Sequence, residues 1–497
     1  MVPINDLIVI NPLDNVAVAP LPLVHGTPCR AGDLTVDLQD DIPAAHKVAL
    51  ADILPGSSVV KYGEVIGYAA KSILKGQHVH LHNLKTSLDG LREYTWTGNP
   101  NNWPHLAEDC RFLGFRRPDG SVGTRNEIWI IPTVGCVNNT AIRLAEDART
   151  RFGHLLDGIF PMIHNSGCSQ LGEDLLVTQR LLRGLINHPN AGGVLVLGLG
   201  CENNNVDVFK PFLGKVNPDR VRFLTTQDVD DEQAAGLDLI GRLVDHALTF
   251  SREPVTADHL TIGFKCGSSD AFSGITANPL CGRISDHLVS LGGKTILTEV
   301  PEMFGAETIL MARAASEGVF NQIVSLINGF KQYYMRHDQP IYENPAPGNL
   351  KRGITTLEEK SLGCILKGGR SPVAGVIDYG VQPAEPGLHL LNGPGNDPIS
   401  VTNMIASGAQ IILFTTGGGN PYGGPVPTLK ISSNTALRAL KPHWIDFDAG
   451  KILAGQSFDT AEADLFALIL KTASGERAKN EINGYREISI FRDGVIL

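Results

Sequence analysis

What most limits the fold of this chain is a change of hydrophobic period near residue 113. Up to about residue 85 the apolar residues come in short runs, LIVI, NVAVA, LTVDL, SVVKYG and HVHLHN, cut by Gly and Pro. Runs this short, bounded by turn residues, read as strands of a small all-β module. From about residue 113 the runs lengthen and alternate with amphipathic segments. EIWIIPTVGC precedes NTAIRLAEDARTRF; DGIFPMIH, GGVLVLGLG and RVRFLTT are separated by LLVTQRLLRGLI and DEQAAGLDLIGRLVDHAL. Near-continuous apolar strands spaced by helices imply a parallel sheet covered on both faces. A third block opens near Leu260 with LTIGFKCG and continues through KTILTEVPE, GLHLLNGPGND, QIILFTTGGG and HWIDFD, with a helical region from Ala306 to Met335.

The expected fold class is α/β multidomain: an all-β module over 1–85, a linker over 86–112, a middle α/β domain over 113–252 and a C-terminal α/β domain over 253–497, the last two with parallel sheets. Trp96 and Trp103 in the linker call for an apolar surface to lie against. The polar stretch between Arg336 and Gly363 reads as a long loop.

Composition excludes several classes of function. The net charge is −10 and the cations are scattered, which argues against a nucleic-acid or anionic-membrane partner. No apolar run approaches the ~18 residues that span a bilayer. The N-terminus MVPINDLIVINPLDN lacks a basic segment and carries Asp6 and Asp14, so a secretory signal is not expected and the cytoplasm is the default. Eight cysteines without a CxxC pair are neither a disulfide framework nor a zinc ribbon. Neither a GK[ST] sequence nor a convincing GxGxxG is present, so no nucleotide cofactor is expected.

Glycine is in surplus, 54 of 497 residues, against a usual share of roughly 7%. It concentrates at strand-end turns, beside Cys136, Cys168, Cys201, Cys266 and Cys364, and in the GPGND and TTGGGNPYGG loops. Loops of this kind expose backbone N–H groups that cradle anionic oxygens. Each cysteine alone reads equally well as a small packing residue; as a group they are a soft ligand set for a metal such as iron. HVHLHN puts His78, His80 and His82 on one strand face, because strand side chains alternate. That pattern suits a metal or, alternatively, a solvated edge. Glu299 and Glu302 follow the KTIL strand and suit metal binding or acid–base work, or simply the start of a helix. His443, Asp446 and Asp448 form a further polar cluster at a strand end.

The motifs RRPDGSVGTRNEIWIIPTVGCVNNTA, HNSGCSQLGED, GLGCENN, CGSSDAFSGITANP, TEVPEMFGAE, QPIYENPAPGN, GITTLEEKSLGC, TTGGGNPYGGPVPTLKISSN and HWIDFDAG occur in one order along the chain. Together they resemble the altronate and galactarate dehydratase family, and YENPAPGN and EMFGAE lean toward its altronate branch. The resemblance implies an N-terminal SAF (β-clip) domain, a middle domain used in a homodimer and a Rossmann-like C-terminal domain. It implies a hydro-lyase that uses Fe2+, with Mn2+ as a substitute, to convert D-altronate to 2-dehydro-3-deoxy-D-gluconate. Galactarate is the alternative substrate, with Lys351, Arg352 or Arg283 for its second carboxylate; a non-catalytic sugar-acid-binding protein is a further reading. For the dehydration, the expected metal ligands are His78, His80, Glu299 and Glu302, with Cys136 and Cys168 as alternatives. The expected acid and base come from His46, Lys61 and His82, and Arg125 and Asn126 are expected to grip the substrate.

Overall fold

The computed structural model describes residues 6–97 and 103–497. The first five residues, on which the signal-peptide reading drew, and 98–102 within the expected linker lie outside the described residues. Over 6–85 the short runs pair as small antiparallel sheets. Val16–Val18, Lys47–Ala49 and His78–Val79 form one; Ser58–Lys61, Glu64–Ala69 and Leu84–Lys85 another; Pro28–Ala31 and Leu34–Asp37 make a hairpin. In the hairpin Cys29 and Ala31 are buried while Pro28 and Arg30 are exposed, the alternation that the pleat imposes.

The middle block forms a four-stranded parallel sheet, ordered Gly158–Pro161, Glu127–Pro132, Ala191–Gly198, Val221–Thr225. All eight residues of Ala191–Gly198 are buried, as a strand covered on both faces requires. Helix Asn138–Phe152 covers one face with Ala141, Leu144, Ala145 and Ala148, at helical spacing. The C-terminal block forms a seven-stranded parallel sheet: Val373–Ile377, Gly387–Leu391, Lys294–Leu297, Thr261–Cys266, Ile411–Thr416, Thr428–Ser432 and Phe447–Asp448.

Three elements depart from expectation. Arg111–Arg116 is a strand, paired with Val122–Gly123 and Arg252–Thr256, so the segment leaves the linker at Arg111. The region Ala306–Met335 is two helices, Glu307–Ala312 and Glu317–Arg336, the second started by the Ser316 side chain accepting from Val319 N–H. The stretch 336–363 is not one loop: it holds Pro347–Leu350 and the start of Leu357–Ile365, a helix whose nine residues are all buried. Its polarity, LEEKSLGCI, reflects ion pairs made in the interior rather than exposure.

The cores run across the blocks. Ile53, Val59 and Ile66 of the β module share one cluster with Phe264 and Leu280 of the C-terminal block. Trp129 and Leu181 of the middle block share another with Met404 and Ile412. Trp96 packs on Phe320 and Trp103 Nε1 donates to Ser290 Oγ at 2.9 Å, so both linker tryptophans rest on the C-terminal block. Among the described residues no helix is long and apolar enough to cross a membrane.

Candidate active site

The C-terminal ends of parallel strands converge where ligands bind in open α/β sheets. Here that edge is roofed by the β module. The cleft between them encloses about 630 Å3 and is lined by Ala45 of the module and by Asp270, Lys351, Arg352, Gly417 and Asn434 of the C-terminal block. Gly417 and Gly418, from the TTGGG loop, allow side chains to lie directly on the backbone. A Cβ at Gly417 would come within 2.2 Å of Asp270 Cγ, and one at Gly418 within 2.5 Å of Arg352 Cζ. The glycine-rich loop admits an acid and a guanidinium at close range, while the N–H groups of Gly417 and Gly418 donate to Ser268 O and not to an anion.

Asp270 is buried and accepts hydrogen bonds from Ser273 N–H and Oγ, from Ser433 Oγ at 2.8 Å and from Asn434 Nδ2 at 3.1 Å. Burial raises its pKa despite these donors. Ala45 holds a left-handed backbone, φ 68°, and the next residue, His46, reaches back with Nε2 3.3 Å from Lys351 O. His46 Nδ1 lies 2.9 Å from His78 Nε2. His80 Nδ1 lies 2.8 Å from Thr355 Oγ1, and the rings of His46, His78 and His80 stand 4.9–5.6 Å apart. Burial, then neighbouring cations and imidazoles, lowers all three: His78 falls to about 4 and His80 to about 3. These rings are therefore neutral at pH 7.

Beneath them Lys47 and Lys61 share one carboxylate. Lys47 Nζ lies 2.7 Å and Lys61 Nζ 2.8 Å from Glu359, with all three side chains at most 1% exposed. Burial pushes Lys47 down to about 8; for Lys61 burial is outweighed by Glu359 and Tyr62, which hold its ammonium above the usual range. Lys61, expected as an acid or base, is thus found in the buried ion pair that fastens the module. Thr86 and Ser87 donate to Glu358, a second polar fastening.

A second buried centre lies at the end of strand Thr261–Cys266. Glu299, in a left-handed conformation (φ 70°), accepts from Cys266 N–H at 2.8 Å. Cys266 Sγ lies 3.4 Å from Cys364 Sγ, and Cys364 Sγ 3.0 Å from Glu302. Three lysines surround these groups: Lys265 Nζ is 2.9 Å from Glu299, Lys360 Nζ 2.9 Å from Glu302 and Lys367 Nζ 2.9 Å from Cys266 Sγ. Cys266, Glu302 and Cys364 offer ligand atoms within 4.8 Å of one another. Their negative charge, however, is already balanced by ammonium groups, which oppose a cation at the same point.

The expected metal set is thereby divided. His78 and His80 stand with His46; Glu299 and Glu302 stand with cysteines and lysines. Among the described residues, the groups of three ligand atoms within 4.8 Å are Cys266–Glu302–Cys364 and Glu108–Cys110–His287, and neither contains a histidine of the trio. The residues present thus do not fit a closed four-ligand iron site. His82 is exposed, its ring 5.4 Å from His78.

Arg125 and Asn126, expected to grip substrate, have their polar atoms engaged within the protein. Arg125 is buried and clamps Glu481 through Nε and Nη2, both at 2.8 Å, while Nη1 donates to Thr472 O. Asn126 Nδ2 donates to Ala247 O and its Oδ1 accepts from Arg117. Arg125 thus ties the middle domain to the C-terminal one, and Asn126 makes its bonds within the middle domain. Cys136 and Cys168 are exposed and belong to neither centre. Asp270, Glu359, Lys265, Lys360 and Lys367 were not picked out as site residues from the sequence, where they are polar residues inside CGSSD, LEEKSLGC, GFKCG and ILKGG, and neither was Lys47, in AHKVAL.

Family models match the chain in three consecutive segments. Residues 5–87 match the altronate/galactarate dehydratase SAF domain, 114–248 the D-galactarate dehydratase/altronate hydrolase second domain, and 257–496 the D-galactarate/altronate dehydratase C-terminal region. The chain is 47% identical over 490 residues to an altronate dehydratase of Escherichia coli, covering 98% of this chain and 99% of the relative. It is 48% identical over 496 residues to an altronate dehydratase of Bacillus subtilis, covering 99% and 100%. A galactarate dehydratase (L-threo-forming) of Escherichia coli is 32% identical over 494 residues, covering 93% and 92%.

Proposed function

The chain belongs to the D-galactarate/altronate dehydratase family, and from that premise we propose that it is a hydro-lyase converting D-altronate to 2-dehydro-3-deoxy-D-gluconate in the roofed cleft. The observation that supports the site assignment is the cleft itself, where Asp270, a carboxyl group pushed up by burial, lines the wall with Lys351 and Arg352, and where His46, an imidazole pushed down by burial, follows the lining residue Ala45 and contacts Lys351 O. Groups whose environments drive their pKa values apart make an acid and a base at one pH.

Dehydration removes the proton from C2 and the hydroxyl from C3, and the resulting enol becomes the 2-keto acid. A C2 proton beside a carboxylate is weakly acidic, so charge developing on that carboxylate must be met by cations. Arg352 and Lys351 line the cleft for this role. His46, its pKa lowered by burial and its ring held at Lys351 O and His78, is the base we assign to the C2 proton; Asp270, its pKa raised by burial, is the donor we assign to the departing C3 oxygen. Asn434 and the backbone of Gly417 orient the hydroxyls. Iron(II) or manganese is the cofactor we propose on the family resemblance; it would supply a Lewis acid when bound, these cleft residues are not its ligands, and none of their roles depends on it.

Altronate is favoured over galactarate by the higher identity to the altronate enzymes. Of the three cations considered for a second carboxylate, Arg283 is taken by Asp459 and Glu462. We read the assembly as a homodimer, with Leu171 and Val208 exposed on the middle domain as contact candidates. The test is an anaerobic assay with Fe(II) across D-altronate, galactarate and D-galactonate, detecting the 2-keto-3-deoxy product. Asp270→Asn is expected to lower kcat by about 10^2- to 10^4-fold with the circular dichroism spectrum retained. Turnover of galactarate without altronate would overturn the substrate, and an active Asp270→Asn variant the site.

A further inference from the structure

Iron is implied by the resemblance, yet its expected ligands are divided between two centres. The middle domain offers another donor set. Strands Gly158–Pro161, Glu127–Pro132 and Ala191–Gly198 are neighbours in its sheet, and each is followed at its C-terminal end by a Gly-Cys pair: Gly167-Cys168, Gly135-Cys136 and Gly200-Cys201. Backbone contacts lace the three loops together. Gly135 N–H donates to Ser166 O at 3.0 Å, Asn204 N–H to Gly167 O at 3.2 Å and Ser169 N–H to Asn203 Oδ1 at 2.8 Å. Every cysteine is therefore within two residues of a bond to a neighbouring loop. The crossing is tight: Gly167 has φ +100°, and a Cβ there would lie 2.0 Å from Thr133 O.

Exposure sets these thiols apart. Cys136, Cys168 and Cys201 are exposed, whereas Cys29, Cys266, Cys281 and Cys364 are buried and Cys110 is intermediate. Free cysteine is among the most buried of residues, so three exposed on one sheet edge call for a chemical reason. Thiolates in such a set favour iron–sulfur chemistry. Their ligand atoms do not all lie within 4.8 Å of one another; what groups them is the lacing of their three loops. Gln170, 1% exposed, accepts Gly167 N–H at 2.7 Å through Oε1 and leaves its buried Nε2 without a hydrogen-bond partner. An amide N–H beside the Cys168 loop is a donor of the kind that tunes cluster sulfurs.

We propose that Cys136, Cys168 and Cys201 hold an iron–sulfur cluster of the four-iron type. Three irons would be bound by thiolates, each thiol releasing its proton to solvent, and the fourth would be open to a hydroxyl or carboxylate oxygen. An adjoining cleft of about 530 Å3, lined by Asn138, His164, Asn165, Ser166 and Arg492, gives that corner room for a small oxyanion. The proposal stands apart from the choice of altronate and from the roles given to His46 and Asp270.

The full chain is purified without oxygen and reconstituted with equal amounts of ferric and ferrous iron and with sulfide, which supplies the two Fe(III) and two Fe(II) of a four-iron cluster without a further oxidant. Iron and acid-labile sulfide are then measured, with visible absorption and electron paramagnetic resonance of the reduced protein. About four of each per chain are expected, with an absorption that bleaches in air. Cys136→Ser, Cys168→Ser and Cys201→Ser are each expected to lose most of both while keeping their circular dichroism. Cys281→Ser and Asp270→Asn are expected to retain both, which separates this site from the roofed cleft. Absence of labile sulfide in the reconstituted protein, or iron and sulfide undiminished in all three serine variants, would overturn the proposal. So would iron without sulfide that is lost only in His78 or His80 variants.

Discussion

Replacing Glu359 by Gln keeps the shape of the side chain and removes the one negative charge that Lys47 and Lys61 share. Both ammonium groups lie within 2.8 Å of it and are essentially sealed from water. Breaking a buried pair by removing one partner costs about 3–5 kcal/mol, because the remaining charge is left uncompensated. That cost falls on the joint between module and body, so it is expected to raise the opening equilibrium there by roughly 100- to 4,000-fold. Hydrogen exchange followed by mass spectrometry should show faster exchange in Lys47–Ala49 and Ser58–Lys61 at neutral pH, with the middle sheet unchanged. Turnover of D-altronate should fall with it, since His46 and His80 lose their backing. Lowering the pH should weaken the protection further, because the variant lacks the carboxylate that holds the buried Lys47 ammonium up at about 8, and the lysine then carries uncompensated charge only in the more acidic range. A triple apolar variant, K47M/K61M/E359L, is expected to regain protection if charge is the cause. Unchanged exchange in both strands of the Gln variant would refute the claim that this ion pair fastens the module.

Arg125→Met should lower stability to urea by about 3 kcal/mol, since it leaves buried Glu481 only the longer contact to Arg486 and the Ala478 N–H, while KM for D-altronate stays as in the parent enzyme. Arg352→Ala should raise KM by about 10- to 100-fold, the worth of a charge-assisted hydrogen bond, with little change in urea midpoint. His188 stacks on Trp129 and bonds to Ala409 O, and burial pushes it down to about 3. The folded chain then binds fewer protons than the unfolded one between about pH 3 and 6.5. Its contribution is complete above pH 6.5 and is lost as pH falls toward 3, at most about 5 kcal/mol. Acid titration of stability should be shallower in His188→Gln; an identical slope would contradict the assignment.

The kinds of element and their order were legible from residues alone, because strand and helix periods are local properties of side-chain direction. Ala191–Gly198, Glu127–Pro132 and Thr261–Cys266 stand where apolar runs placed them, and the TTGGG loop lies at a sheet edge as its glycines implied. Charge partners were not legible, since they come from distant segments. LEEKSLGC reads as a polar loop until Glu359 meets Lys47 and Lys61, 312 and 298 residues away in sequence. Arg125 reads as a carboxylate grip until burial presents it with Glu481. Glu299 and Glu302 read as ligands until three lysines surround them. The cysteines divide along the same line. Sequence put five of them beside glycine at turns, but only the packing of the sheets decided that Cys266 and Cys364 are interior thiols among lysines, while Cys136, Cys168 and Cys201 stand open on one edge. A residue's type and local period are written in the chain; whether it ends as a ligand, a counter-ion or a clamp depends on which remote charges folding brings within a few ångströms, where desolvation makes each one count.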